Sequence, residues 1–406
     1  MELADQPAGE GRGTVGEVFA TFLKLGLTSF GGPIAHLGYF RDELVTRRKW
    51  IGEAGYAELV ALCQFLPGPA SSQVGFAMGL LRAGPLGALA AFIGFTLPSA
   101  ILLVAFAYGA ALFGGPMGEG VIAGLKIVAV AVVAQAVWGM ARSLTPDRER
   151  ASIALVAVLL VIVPGGSLGQ LAAIAVGAMF GLWLCRDGAA PSSGMVRFPV
   201  SRRAGGFALA AFVVLMIGLP LIAPLVGWRA LDVFSAFYRA GSLVFGGGHV
   251  VLPLLEAEVV TTGWVSHDQF LAGYGAAQAV PGPLFTFAAY LGAVLASPPN
   301  GVVGAMLALT AIFLPGFLIL VGVMPFWDAF RMRPAAQAMV RGANAAVVGI
   351  LGAALYDPVF VSAVVDPRSF ALALACFVLL VAWKAPPWSV VLVGAVGGAA
   401  LALVQG

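Results

Sequence analysis

Apolar runs of membrane-crossing length recur along nearly the whole chain, at 14–34, 55–82, 86–112, 119–141, 151–163, 168–185, 205–226, 229–249, 266–297, 300–326, 337–357, 368–383 and 387–403. A bilayer core takes about 17 to 25 residues of helix. The pattern therefore predicts an all-α polytopic membrane protein of about thirteen transmembrane helices. Two runs, 55–82 and 266–297, carry Pro-Gly-Pro in their middle. Proline removes a backbone donor and clashes with the preceding turn, so each run reads as a broken helix. In lipid the freed backbone groups survive only where protein or a water-filled cavity satisfies them, which turns both breaks inward.

The same pattern occurs twice. Ser29-Phe30-Gly31-Gly32-Pro33 has a counterpart in Val244-Phe245-Gly246-Gly247-Gly248, with Lys24 matched by Arg239 at the same offset. Trp50 matches Trp264, and Gln64-Phe65-Leu66-Pro67-Gly68-Pro69 matches Gln278-Ala279-Val280-Pro281-Gly282-Pro283. Phe95-Thr96-Leu97-Pro98 matches Phe313-Leu314-Pro315 loosely, and Gly124-Leu125-Lys126 matches Gly342-Ala343-Asn344. The chain divides into a polar tail (1–13), a first repeat (14–185), a linker with one extra membrane helix (186–228) and a second repeat (229–406). Six spans per half plus the extra one place an odd number of crossings between equivalent positions, which makes the halves antiparallel. Such inverted repeats are a common plan of secondary transporters, with the site where broken helices meet near the midplane. The parity requires 55–82 to cross once; a re-entrant 55–82 would make the halves parallel.

The runs Ser29 to His36 (SFGGPIAH), Gln64 to Gln73 (QFLPGPASSQ), Phe95 to Ser99 (FTLPS), Phe245 to Pro253 (FGGGHVVLP) and Gln278 to Pro283 (QAVPGP) resemble the chromate ion transporter family, in its long, two-domain form. The likeness covers nearly the whole chain. It implies export of chromate across the plasma membrane and chromate resistance, with sulfate as the competing ion. The partners implied are that small anion and the bilayer, with a homodimer left open.

Composition agrees with lipid as solvent: 60% of residues are hydrophobic and 10% charged, against about 45–50% and 25% in soluble domains. A formal charge of +3, thinly scattered, excludes a nucleic-acid partner. Cys63, Cys185 and Cys376 have neither metal nor disulfide spacing and read as core residues. The first dozen residues lack the order of a cleaved signal peptide, so insertion falls to the first membrane helix. Thirteen crossings from a cytoplasmic N-terminus put Arg82, Arg142, Arg148, Arg150, Arg186, Arg197, Arg202, Arg203, Arg331, Arg333 and Lys384 inside, as cytoplasmic loops prefer. Arg229, Arg368 and the cluster Arg41, Arg47, Arg48 and Lys49 fall outside. That cluster counts against the assignment unless its segment folds into the protein.

A dianion leaving water needs donors and positive potential. Helix N-termini supply both. A helix restarting after Pro67-Gly68-Pro69 would present Ser71 and Ser72, and one after Pro281-Gly282-Pro283 would present Thr286. Gly31-Gly32 and Gly246-Gly247-Gly248 allow close backbone approach and an anion nest, or simply tight helix packing. Lys24, Lys126, Arg239 and Arg341 stand inside apolar spans, where a central charge costs at least ~2.5 kcal/mol, so they are functional candidates unless they snorkel. His249, and less so His36, are candidate donors to an oxyanion. Glu43, Glu256 and Glu258 either couple proton movement or pair with Arg41, Arg47 or Lys49 at a surface, and the surface reading is preferred. The predicted site thus comprises Lys24, Gly31, Gly32, Gln64, Pro67, Gly68, Pro69, Ser71, Ser72, Lys126, Arg239, Gly246, Gly247, Gly248, His249, Gln278, Pro281, Gly282, Pro283 and Asn344.

Neither a cofactor nor a metal is expected: the histidines and cysteines are dispersed, which argues against an enzyme. No Gly-x4-Gly-Lys loop occurs, so the chain does not itself consume ATP. A channel would want a continuous polar lining, which sparse polar groups at two breaks do not provide.

Overall fold

The computed structural model describes residues 13–110, 115–163, 166–186, 196 and 198–405, and every regular element among them is helical. The polar tail, apart from Gly13, and Arg197 lie outside the described residues. In the first half α1 (Val15–Thr28), α2 (Gly32–Phe40, prolonged as a π-helix over Arg41–Arg47) and α3 (Glu53–Phe65) lead into α4 (Ala70–Ala110), α5 (Gly115–Leu144), α6 (Arg148–Ile162) and α7 (Gly166–Leu184). The single helix α8 (Arg202–Val226) follows. The second half holds α9 (Arg229–Ser242), α10 (Val251–Val259), α11 (His267–Ala277), α12 (Phe287–Ala293), α13 (Gly301–Val323), α14 (Trp327–Arg331), α15 (Pro334–Ala354), α16 (Val361–Ala363), α17 (Pro367–Val381) and α18 (Pro387–Gln405). Five helical stretches among the described residues are long and apolar enough to cross a membrane: Ala70–Gly109, Met117–Leu144, Arg202–Val226, Gly301–Arg331 and Pro334–Ala363. Exposed Phe207, Val214, Ile217, Leu221 and Leu225 on α8 form a surface that only lipid covers favourably.

The run 55–82 does not cross once, contrary to the parity argument. Gly68, at φ +120°, reverses the chain between two prolines. The two ends of the run then meet, with the Arg82 guanidinium 5.3 Å from the Trp50 ring centroid. The run 266–297 doubles back in the same way at Gly282, φ +102°, and the Ala296 N–H donates to the Trp264 carbonyl at 2.9 Å. The runs 14–34 and 229–249 are also the rising arms of hairpins. Gly31 (φ +101°) and Gly32 (φ +80°) turn α1 into α2, and Gly246 (φ +74°) turns α9 toward α10. Each of these hairpins is pinned by an ion pair between residues nineteen apart, Lys24 with Glu43 at 2.9 Å and Arg239 with Glu258. Glu43 and Glu258 are buried, not surface partners as the sequence suggested. Arg47 and Arg48 also reach Glu43, at 3.2 and 2.8 Å. Arg239 grips both oxygens of Glu258, its Nε at 2.7 Å from Oε1.

The long α4 is two helices. Ala83 and Gly84 leave helical geometry, and a Cβ on Gly79 would lie 2.3 Å from the Gly87 carbonyl oxygen. Eight residues of straight helix span about 12 Å, so the chain doubles back sharply there. Gly292 and Gly304 make the same approach, 2.2 Å from Cβ position to carbonyl, between α12 and α13. Likewise Gly26 on α1 abuts the Phe95 carbonyl, and Gly241 on α9 abuts that of Ile312. Small residues are what let membrane helices approach this closely.

The terminal helices are exchanged between halves. α5 packs on α18 and α15 packs on α7. A Cβ on Gly124 would sit 2.1 Å from the Gly394 carbonyl oxygen, and one on Gly342 would sit 2.1 Å from that of Gly177. Arg341 fastens the second seam by donating to the Cys185 carbonyl at 2.8 Å, just past the C-terminus of α7, where a cation also suits the helix dipole.

Two expectations follow. Gly124→Val and Gly342→Val must each push apart two backbones, and overpacking of that kind costs ~1–3 kcal/mol or more; thermal unfolding in detergent should show both well below wild type, and a wild-type melting curve for either would refute the exchanged seams. Glu258→Ala should also destabilise, by about 3 kcal/mol, because it leaves Arg239 without its counter-ion. Arg239→Ala in the same chain should recover part of that loss, and an additive double-variant cycle would mean that the pair does not couple.

Candidate functional site

The four hairpin tips meet in one place. The Gly68 N–H donates to the Val244 carbonyl at 2.7 Å, and the Gly282 N–H donates to the Ser29 carbonyl at 2.9 Å. Gly68 and Gly282 are repeat mates, as are Val244 and Ser29, so the two bonds are the same contact made twice across the halves. Each Pro-Gly-Pro also seats on the proline-bearing helix of the opposite half. A Cβ on Gly68 would come within 3.0 Å of the Gly316 Cα, and one on Gly282 within 2.8 Å of the Ser99 hydroxyl. Gln73 closes the first seat, its amide donating to the Pro67 carbonyl (3.0 Å) and the Gly316 carbonyl (2.9 Å). Between the glycine turns, a Cβ on Gly248 would stand 3.1 Å from the Pro33 ring and one on Gly32 would stand 3.9 Å from His249 Nε2. Gly247 faces the sulfur of Met140.

Polar atoms without protein partners collect in these elements. Ser29 Oγ, Ser72 Oγ, Thr96 Oγ1, Gln73 Oε1, Gln278 Nε2 and Asn344 Oδ1 are buried and make no hydrogen bond within the described residues. Leaving such a group unpaired costs ~1–3 kcal/mol, which makes these atoms candidates for contact with a polar ligand. The Asn344 oxygen stands 3.5 Å from the Cβ position of Gly246. α4 begins directly after Pro69, and its first internal bond runs from the Gln73 N–H to the Pro69 carbonyl at 2.9 Å. The N–H groups of Ser71 and Ser72 therefore precede that bond, at the positive end of the helix. The Ser71 hydroxyl lies 3.4 Å from His36 Nδ1, whereas His249 Nδ1 meets the Tyr274 hydroxyl at 2.8 Å. Thr286 donates its hydroxyl to the Pro283 carbonyl at 2.7 Å and is thereby occupied.

The intramembrane cations named from the sequence each have a protein partner. Lys24 and Arg239 are held by Glu43 and Glu258. Lys126 pairs with Asp268 at 2.7 Å, at the start of α11, and Arg341 is taken up at the end of α7. Gln64 is exposed while its mate Gln278 is half-buried. Sequence reasoning missed Ser29, Gln73, Thr96 and Ser99. It also missed both carboxylate partners, although Glu43 and Glu258 keep the same nineteen-residue distance from Lys24 and Arg239. Among the described residues no group of three or more histidine, cysteine, aspartate or glutamate side chains could hold a metal.

Comparison with known proteins gives the arrangement a family. The chain is 29% identical over 399 residues to a chromate transport protein of Pseudomonas aeruginosa, covering 91% of this chain and 87% of that one. It is 31% identical over 343 residues to a probable chromate transport protein of Synechococcus elongatus, covering 82% of each. A chromate transport protein of Cupriavidus metallidurans is 29% identical over 375 residues, which cover 91% of this chain and 89% of the relative. No solved structure matches. The profile of the chromate transporter family matches residues 16–182 and 231–399. With that profile spanning both halves, the chain belongs to the chromate transporter family, a family of membrane transport proteins.

Proposed function

We propose that this chain is a secondary transporter that carries chromate out of the cell across the plasma membrane, with sulfate as its nearest competitor and chromate resistance as the result. The ion sits among the four tips, against Gly31-Gly32, Gly246-Gly247-Gly248 and the two Pro-Gly-Pro turns. The observation that carries this reading is the pair of crossed hydrogen bonds, Gly68 to Val244 and Gly282 to Ser29, which draws both broken segments to one point. Free N–H groups at Ser71 and Ser72, and the unpaired Ser29, Ser72 and Thr96 hydroxyls and Gln278 amide nitrogen, offer hydrogen bonds to a tetrahedral oxyanion. Lys24, Lys126 and Arg239 contribute potential from within their ion pairs. His249 Nε2, 3.9 Å from the Cβ position of Gly32, stands beside the ion's place.

The halves are antiparallel in this reading, although 55–82 is a hairpin. Because 14–47 is a hairpin as well, two crossings leave the count together and the parity is unchanged. Exchange of equivalent helices, α5 on α18 and α15 on α7, is what a two-fold relation produces. The hairpins also move the cluster Arg41, Arg47, Arg48 and Lys49 to the face of Arg82, through Arg48 and Arg82 on Trp50. That face gathers Arg142, Arg148, Arg150, Arg331 and Arg333 too, and leaves Arg229 and Arg368 opposite. The positive-inside rule then makes it cytoplasmic, which removes the anomaly in the charge count. An interior-negative membrane drives each negative charge outward with ~2.3 kcal/mol per 100 mV, and a dianion with twice that. Export needs no further energy source.

Inverted vesicles loaded with an imposed potential should accumulate chromate, with sulfate competing; absence of potential-driven chromate uptake would sink the proposal. Gly68→Ala and Gly282→Ala, each forced against the opposite half at positive φ, should lower the rate at least tenfold while the protein still inserts. Ser72→Ala should weaken apparent chromate affinity by about tenfold or more, the worth of a hydrogen bond to a charged ligand. An unchanged affinity would take Ser72 out of the site. For orientation, Lys384→Cys should react with an impermeant maleimide only from the cytoplasmic side and Arg368→Cys only from outside.

A further inference from the structure

One asymmetry between the halves is a matter of charge. In the first half Glu17 is matched by two guanidinium groups, Arg82 at 3.3 Å and Arg48 at 3.7 Å, both of which also stack on Trp50. The mate of Glu17, 215 positions later, is Asp232. Counted from the paired tryptophans, Arg48 is replaced by Thr262 and Arg82 by Ala296. Both matching cations are gone. In their stead lies a cleft of about 200 Å³ between α8 and α9, lined by Asp232, Ser235, Arg239, Glu258, Thr262 and Trp264.

Asp232 has no ion-pair partner among the described residues. Arg229, one turn earlier, lays its guanidinium on Trp264, 4.0 Å from the ring centroid, instead of on Asp232. Arg239 is already matched by Glu258, so the lining carries one net negative charge. Ser235 is 5% exposed, faces the cleft and makes no hydrogen bond among the described residues. Asp232, Ser235 and Arg239 fall on one stripe of α9, three and four residues apart, so they face the cleft together. The Asp232 carboxylate and two hydroxyl oxygens offer hard oxygen donors in this cleft; that of Thr262 donates its proton to the Glu258 carbonyl at 2.7 Å and keeps its lone pairs.

We propose that this cleft binds an alkali-metal cation, sodium in the first instance, with Asp232 as the charged ligand and Ser235 and Thr262 as hydroxyl ligands. Its place against the Arg239–Glu258 pin lets the bound cation set how firmly the α9–α10 hairpin is held, and so couples the cation to movement of the tips. That coupling, unlike the binding itself, rests on the transport reading above.

Binding is measured on the purified full chain in detergent, with no oxyanion present, by equilibrium uptake of radiolabelled sodium and by thermal unfolding in sodium, lithium, potassium or choline chloride at constant ionic strength. Saturable sodium binding and a raised melting temperature are expected for wild type, lost at least tenfold in affinity in Asp232→Asn and weakened in Ser235→Ala. Glu17→Gln, in the half that carries its own guanidinium groups, should bind as wild type does. No saturable binding of any of the three metals, or equal binding by Asp232→Asn, overturns the site. Since chromate takes no part, that outcome is distinct from failure of the transport reading; the coupling alone falls if chromate efflux at fixed potential is indifferent to sodium while binding persists.

Discussion

Backbone amides cannot be left unpaired in lipid, and this fold depends on how four interrupted helices meet that demand. Each Pro-Gly-Pro frees backbone groups that its own segment cannot satisfy. The Gly68 N–H finds the Val244 carbonyl and the Gly282 N–H finds the Ser29 carbonyl, so each half completes the other's broken turn. Only glycine serves at these points, because φ is near +100° and the opposite half leaves no room for a Cβ. The break and its repair therefore define a common centre, and the buried polar atoms collect around it.

Away from the tips the fold is held by two devices that need little sequence. Glycine faces bring helices to backbone contact, both within each half, as at Gly26 and Gly241, and between halves, as at Gly124 and Gly342. Ion pairs at Lys24–Glu43 and Arg239–Glu258 then fix the hairpin arms. The seams rest on backbone contact, whereas the arms of each hairpin are joined by side-chain ion pairs and a glycine turn.

Departures from symmetry carry the functional detail. The unpaired hydroxyls at Ser29, Ser72 and Thr96 lie in the first half, while Thr286, the mate of Ser72, is consumed by Pro283. Lys126 pairs with Asp268, but its mate Asn344 keeps a free oxygen beside Gly246. Glu17 is neutralised by arginines and Asp232 is not. The first half presents three free hydroxyls and the second presents the cleft beside Asp232.

Much of this was legible in the residues alone. Hydrophobic runs set the solvent, Pro-Gly-Pro set the breaks, and the ordered matches from Lys24 and Arg239 to Gly124 and Gly342 set the repeat and the glycines at the centre, because each follows from local chemistry or from self-comparison. Run length could not distinguish a crossing from a hairpin, since two short arms and one long helix bury the same apolar residues; Trp50 against Arg82 and Trp264 against Ala296 decided that. Nor could it assign partners to charges. Glu43 and Glu258 looked like surface residues because a carboxylate's neighbours are set by where the chain returns, and that return is made at Gly31 and Gly246. The exchange of α7 and α18 was likewise decided by packing alone: glycine faces accept any partner helix that fits, and only the folded chain brings Gly177 to Gly342 and Gly394 to Gly124.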